Sequence, residues 1–476
     1  MFCPPNLDPA CPHDRRTRFH LKLKPGACDL DLDVYRADAC CFARRPCLVG
    51  LAPLAPMSSN SCEILDDPSV AARHAYQAAP SLANISSADR SKMLLSLAAA
   101  IRAHQNAILE ANTLDLEATL SLTEDETATA PPISWLKLTP ERLKVAIDCL
   151  KRLAEMPDPI RPVTSAALLA ERSQAYSQLM PLGAIAFLWE SLPEIGAIAA
   201  GMCLKTGNSL VLHPSSEARE TSLAIAKAMM DALADSELHA GSLSAITTPT
   251  DETRSQLIAQ STHLGTILAH GRSTFVNGIA ARSSLPVVRS VTGNCYLYWA
   301  LTGRLETVRS IVLDSYRGAP DRVNAIDKIL VSSDRKLASI STLWNSLREE
   351  GFEIRADAGI CEQFPELQVA QPYEWRQAYP GKTIAFKLID QIELAMLWID
   401  QNSSGHANVI VTESYRESCL FTRGLSSASV FVNASPRFAR LNNNTVYLGM
   451  SNQAGAQRGF IGVETLTRLK YIVQGY

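Results

Sequence analysis

The sequence predicts an α/β protein of two doubly wound units, each a parallel sheet covered by helices. Three observations predict it. Short unbroken apolar runs, such as Ala184 to Trp189 (AIAFLW), read as strands buried on both faces. Segments of helical period alternate with these runs from Ala184 to Asn433. With 476 residues, 47% of them hydrophobic, the chain has apolar material for two or three domains.

The formal net charge of −3 offers no field that would favour nucleic acid or an anionic membrane as a partner. No apolar run is long enough for a transmembrane helix, so the chain reads as soluble and cytoplasmic. Six of the twelve cysteines precede Met57 (Cys3, Cys11, Cys28, Cys40, Cys41 and Cys47). The others, Cys62, Cys149, Cys203, Cys295, Cys361 and Cys419, are scattered. None forms a CxxC pair, so no metal site is expected, and the scattered set reads as reduced thiols. Residues 1–56 carry no helix or strand period, no secretory signal, and too many aspartates for a transit peptide. They read as a disordered extension, or as upstream sequence before a start at Met57; a redox or metal-binding extension is the alternative.

In chain order, Ser86 to Asp89 resembles a capping box. It opens a long helix with Met93, Leu94, Leu97, Ile101 and Ile108 inward. Thr139-Pro140-Glu141 starts a second helix, with an N-cap, then proline, then an acid. Ala184 to Trp189 is a strand, and Pro193 opens a helix that Gly207 closes. Ser209 to His213 is a strand and Ser216 to about Ala234 a helix, with Ser216 as the natural N-cap. Ala245 to Thr248, a helix through Leu257, and Gly265 to His270 complete the first unit. The second unit has strands at Tyr296–Ala300, Ile326–Ser332, Thr383–Leu388, Val409–Thr412 and Ser429–Asn433. Its helices are Glu306–Tyr316, Lys336–Glu349 and Gln391–Asp400. Two such units suggest an enzyme with its site in the cleft between them.

The segments LTPERLK (Leu138 to Lys144), PLGAIAFLWESLPE (Pro181 to Glu194), CLKTGNSLVLHPSSEA (Cys203 to Ala218), SLPVV (Ser284 to Val288), VFVNASPRF (Val430 to Phe438) and RGFIGVETLT (Arg458 to Thr467) occur in one order and spacing. From about Asp67 onward the chain thereby resembles gamma-glutamyl phosphate reductase (glutamate-5-semialdehyde dehydrogenase) of the aldehyde dehydrogenase superfamily. The resemblance implies an aldehyde dehydrogenase-like fold with a small β oligomerisation flap. It implies a dinucleotide-binding-like domain at 57–288 with a flap hairpin at about 168–181, a catalytic-like domain at 289–445, and a return and flap segment at 446–476. It also implies NADPH-dependent reduction of gamma-glutamyl phosphate, the second step of proline synthesis, through a cysteine thioester.

Several positions depart from the family pattern. The nucleophile loop of the family ends in Arg-Pro, two small residues and Cys-Asn. Here it reads Ala319-Pro320-Asp321-Arg322-Val323-Asn324, placing Val323 at the nucleophile position with Asn324 retained beside it. An isopropyl group has no lone pair, and losing a covalent nucleophile can cost ~10⁶-fold in turnover. As substitute nucleophiles three residues are weighed: Cys295 reads instead as a small buried residue at a strand start, Cys361 lies far along the chain in a weakly matching region, and Asp321 reads as a solvated loop acid or a partner of Arg322. The family's arginine after the first strand is Leu192, its Pro-Arg-Gly-Gly is Ala269-His270-Gly271-Arg272, and its Gly-Gly before the second unit is Ser290-Val291. Near the C-terminus, Leu448 to Gly459 lacks the family's glutamate, one arginine and its histidine.

The resemblance places Glu190, His213, Pro214, Ser216, Glu217 and Gly271 where the superfamily meets NADP(H), and the changed loops weigh against retention of that cofactor. His213 stands where a lysine would meet the adenosine ribose. Lys205 reads as a favourable charge at a helix end. Two readings follow. One is a binding or regulatory paralogue whose partner is itself, the active reductase or glutamate kinase. The other is an active NADPH-dependent enzyme with a different nucleophile or a related hydride transfer.

Overall fold

The computed structural model describes residues 64–121, 131–160, 163–168, 173–234, 236, 238–318, 320–451 and 459–475. The expectations for residues 1–56, Cys62, Ala319, the turn of the 168–181 hairpin and residues 452–458 lie outside the described residues.

Strand β1 (Ile64–Leu65) precedes helices α1 (Pro68–Asn84), α2 (Ser87–Ala103), α3 (Gln105–Leu120), α4 (Ile133–Leu136) and α5 (Pro140–Glu155). Strands β2 (Val163–Leu168) and β3 (Gln174–Pro181) form a hairpin that begins at Val163, earlier than the 168–181 expected from the sequence. Then β4 (Ala184–Trp189), α6 (Ile195–Lys205), β5 (Ser209–His213), α7 (Arg219–Leu233), β6 (Leu243–Ile246), α8 (Asp251–Ile258), β7 (Thr266–Gly271), α9 (Ser273–Arg282) and β8 (Val287–Val291) complete a parallel six-stranded sheet. Its order is β1-β6-β5-β4-β7-β8.

Alternation along β4 explains its unbroken apolar run. Ile185, Phe187 and Trp189 enter one core with α2, α5, α6 and α7, whereas Ala184, Ala186 and Leu188 enter a second with α1, α8 and α9. The order also fixes a reversal. The chain builds β4, β5 and β6 outward in one direction, then returns to place β7 and β8 on the other side of β4. The carboxyl ends of β4 and β7 therefore flank the sheet's switch point.

Residues 292–294 lead into a parallel seven-stranded sheet that starts at β9 (Cys295–Trp299). It continues through α10 (Leu305–Ser315), β10 (Ile326–Ser332), α11 (Leu337–Glu349), β11 (Glu353–Ala356), β12 (Gln368–Val369), β13 (Thr383–Ile389), β14 (Ala407–Val411) and β15 (Ser429–Val432). Leu297, Trp299, Ile329 and Val331 pack on α10 and α11, while Tyr296, Tyr298, Leu330 and Ile410 face the opposite layer. After the short strands β16 to β19 (Leu441–Asn442, Thr445–Val446, Met450–Ser451 and Gly459–Phe460), β20 (Thr467–Gln474) pairs with β3 over its full length. This antiparallel sheet has the order β2-β3-β20.

Local signals work as expected at several helix starts. Ser86 accepts from the Asp89 amide and Thr139 from the Arg142 amide. Two expectations change. The single helix expected from Ser86 past Ile108 breaks at His104 (φ −94°, ψ 12°), whose ring Nδ1 donates to the Ala100 carbonyl at 2.9 Å. Ile108 still reaches the same core from α3, so the apolar stripe survives the break. Ser216 is exposed and is not the cap of α7. Instead the Asp115 carboxylate, presented by α3, accepts from the amides of Glu220 (3.0 Å) and Thr221 (2.8 Å) and from the Thr221 hydroxyl. A cap supplied across more than a hundred residues leaves no local signature.

Asp115→Ala strips these amides of a buried acceptor and should lower unfolding stability by about 2 kcal/mol, read as a lower urea midpoint with unchanged slope. Ser216→Ala should leave the midpoint where it is. The reverse order of effects would contradict the assignment.

Candidate functional site at the sheet switch point

The switch point of the first sheet and the loop before β10 meet. At the end of β4, Glu190 is 5% exposed and accepts from the Arg272 amide at 2.7 Å and from the Arg272 guanidinium Nη2 at 2.7 Å. Gly271, between the two segments, has φ +153°, and a Cβ there would sit 2.7 Å from the Glu190 carboxylate. Glycine is required by both the conformation and the approach. Beyond Glu190 the backbone turns through Ser191 (φ 49°) and Leu192 (φ 31°). Positive φ at a leucine is costly, and its full burial in the core offsets that cost.

At the end of β7, His270 is buried. Its Nδ1 lies 2.7 Å from Ser290 Oγ on β8, and its Nε2 lies 3.4 Å from Asp321 Oδ2. Asp321 in turn accepts from Arg440 Nη1 at 3.1 Å and Nη2 at 2.5 Å. Burial alone would raise the Asp321 carboxyl, but the Arg440 guanidinium and His270 outweigh it and hold it well below the usual carboxylate range. Asp321 is thus neither a solvated loop acid nor the partner of Arg322. Arg322, at φ 38°, instead places its guanidinium 5.3 Å from the centre of the Tyr316 ring.

The rest of the loop is tied down as well. Trp135 Nε1 donates to the Pro320 carbonyl at 3.1 Å, and the Gly293 amide donates to the Val323 carbonyl at 2.8 Å. The Val323 side chain is buried in a small apolar cluster with Phe438 and Met450. Asn324 Nδ2 donates to the Pro436 carbonyl at 3.1 Å, while its Oδ1 is buried with no protein partner. Cys295 is fully buried, and burial pushes its thiol up to about 12, so it holds no thiolate at neutral pH.

The remaining positions singled out from the sequence lie apart from this network. His213, at the end of β5, is buried with Nε2 3.0 Å from Thr253 Oγ1 of α8. Burial pushes it down to about 4, so it is neutral at pH 7 and carries none of the charge of the lysine it replaces. Pro214 is buried beside it, and Glu217 is half-buried in the turn that also holds Ser216. The Ser215 hydroxyl accepts from the Ser191 amide at 2.9 Å. Lys205 is buried and donates to the Met156 carbonyl at 2.5 Å, bridging α6 to the end of α5. Among the described residues no group of three or more His, Cys, Asp or Glu side chains could hold a metal ion. No described helix is long and apolar enough to cross a membrane.

Sequence reading took His270, Ser290 and Asp321 as separate departures. The structure brings all three together at His270, which lies against both Ser290 and Asp321, and pairs Asp321 with Arg440, a residue no motif marked.

The fold and this two-sheet arrangement define an aldehyde dehydrogenase-like protein. The aldehyde dehydrogenase family profile matches residues 65–294. The structure is similar to gamma-glutamyl phosphate reductase of Thermotoga maritima, with a TM-score of 0.78 and 24% identity over 86% of this chain and 99% of that one. It is also similar to an engineered glycolyl-CoA reductase with bound NADP+, with a TM-score of 0.63 and 13% identity over 87% of this chain and 98% of that one. In sequence it is 42% identical to Gamma-glutamyl phosphate reductase 2 of Synechocystis sp. over 390 residues, 81% of this chain and 92% of that relative. The chain belongs to the gamma-glutamyl phosphate reductase family.

Two outcomes test the electrostatics. Asp321→Asn leaves the buried Arg440 without its counter-ion and should cost about 3–5 kcal/mol. The folded carboxyl titrates below its unfolded value, so this contribution is complete above pH ~4 and lost only in stronger acid. The gap between wild type and variant in chemical denaturation should therefore stay constant at mildly acidic and neutral pH. His213 behaves in the opposite range. Its folded value, about 4, lies below its ordinary 6.5, so its contribution is complete above ~6.5 and lost as pH falls toward about 4. His213→Gln should remove about 2 kcal/mol of the stability loss between pH 7 and 5. An unchanged pH slope would contradict this.

Proposed function

We propose that this chain is a non-catalytic member of the gamma-glutamyl phosphate reductase family that acts in the cytoplasm as a binding or regulatory paralogue. The observation that carries the reading is Val323. The position assigned to the nucleophile holds a side chain that cannot attack an acyl phosphate, and it is packed between Phe438 and Met450. The substitutes considered do not relieve this. Cys295 is buried as a neutral thiol, and Asp321 is spent on Arg440. Cys361, the third candidate, is half-buried after β11, where its thiol faces the Ala356 carbonyl and packs against the core of the second sheet.

The partner of first choice is a second copy of the chain. Among the described residues β20 pairs with β3 alone, so its other edge is open. Leu469, Tyr471 and Val473 alternate along one face at 63%, 65% and 52% exposure. An apolar edge strand of this length is a template for pairing and is stabilised by being covered. The active reductase, sharing the family's fold, and glutamate kinase are the other partners considered.

The deciding assay follows NADPH formation from glutamate-5-semialdehyde, NADP and phosphate with protein starting at Met57, and a rate equal to the protein-free blank is expected. A steady phosphate-dependent rate would overturn the reading. Val323→Cys measures how much of the pocket survives. For assembly, Leu469→Glu with Tyr471→Glu should convert the oligomer to monomer in sedimentation velocity at unchanged melting temperature. A wild-type chain that is already monomeric removes the self-association reading.

A further inference from the structure

The fold family implies a nicotinamide dinucleotide at the switch point, and the residues of this chain do not fit it. A dinucleotide is held there by open backbone amides at the strand-to-helix turns and by polar groups facing the pyrophosphate and ribose. In this chain the first turn of α9 stays uncapped, with Ser273 and Thr274 exposed, but the polar side chains at the ends of β4 and β7 are engaged with one another. The Glu190 carboxylate takes the amide and guanidinium of Arg272, which bridges the ends of β4 and β7. His270, Ser290 and Asp321, from β7, β8 and the loop before β10, are each 2% exposed or less. Leu192 turns its side chain into the core. The Gly449 backbone closes over Ser290, where a Cβ would lie 2.0 Å from its hydroxyl oxygen. A crevice built for a ligand leaves its polar lining open to solvent. Here Glu190, His270, Ser290 and Asp321 are buried by the protein's own atoms, while Ser216 and Glu217 beyond β5 stay at the surface.

We propose that Arg272 and His270 act as a fastener that closes the switch-point crevice, Arg272 by clamping Glu190 and His270 by joining β7 and β8 to Asp321, so that the chain excludes dinucleotides. This inference rests on the non-catalytic reading and gives it a physical cause separate from Val323. The two losses are independent: Val323 removes the chemistry, and the fastener removes the co-substrate. Restoring a thiol alone would leave the crevice shut. Arg272 is the point of release, because its side chain is one-third exposed whereas that of Glu190 is buried. Removing the guanidinium also leaves Glu190 the Arg272 amide as a donor.

The test titrates NADPH into purified protein starting at Met57 and reads nicotinamide fluorescence. Wild type should show no saturable enhancement. The double variant His270→Ala, Arg272→Gly should bind saturably, at least about tenfold tighter than any wild-type signal. Arg272→Gly alone serves if the double variant fails to give a cooperative melt. Saturable binding by wild type overturns the proposal, as does a folded variant with no gain. The two readings fail differently. A wild type that binds NADPH but forms none from glutamate-5-semialdehyde sinks the closed crevice and spares the non-catalytic reading. Turnover by wild type sinks the non-catalytic reading itself.

Discussion

The buried ion pair between Asp321 and Arg440 is the constraint on which the rest of the site depends. Two charges at 5% exposure or less are costly to desolvate, and they persist only with close pairing and further hydrogen bonds. Asp321 obtains the close pairing and both hydrogen bonds from the bidentate Arg440 guanidinium, with His270 Nε2 3.4 Å away. Because Arg440 follows β15, His270 ends β7 and Asp321 precedes β10, one polar cluster ties three segments from two sheets. The loop carrying Val323 is therefore fixed at its beginning by Trp135, at Asp321 by this cluster, and at its end by Gly293 and Asn324.

That rigidity has a functional meaning. A loop that performs covalent chemistry must present its nucleophile to a substrate and leave space for an acyl group. Here the corresponding segment serves as a joint between layers, and the side chain at its centre belongs to an apolar cluster. The acid, histidine and serine at Asp321, His270 and Ser290 lie together at this joint. The network is only partly satisfied, since His270 Nε2, Arg440 Nε and Asn324 Oδ1 are buried without a hydrogen-bond partner among the described residues, so its hold rests on the Asp321–Arg440 pair.

The surface offers a different resource. Both main sheets are covered by helices, so their strands present little to a partner. The antiparallel sheet of β2, β3 and β20 is the exception, with β20 paired to β3 alone among the described residues and an exposed apolar face at Leu469, Tyr471 and Val473. Such a surface can support assembly whatever the chemistry of the site, since assembly needs only shape and apolar area.

The sequence by itself determined the two parallel units, most strand positions and the caps at Ser86 and Thr139, because those depend on period-2 or helical patterning and on contacts within a few residues. It also marked Val323, Leu192, His270, Ser290 and Asp321 as departures from the family pattern, and Cys295 as a buried thiol. It did not find α1, whose inward face is largely alanine (Ala71, Ala72, Ala75 and Ala78), since alanine registers as helix former and hardly as an apolar stripe. Only the tertiary structure decided that Asp115 caps α7, that His213 is neutral, and that Asp321 belongs to Arg440 and not to its neighbour Arg322. Each of those depends on residues brought together across long stretches of chain, where burial, and not sequence spacing, sets which charges and hydrogen bonds can exist.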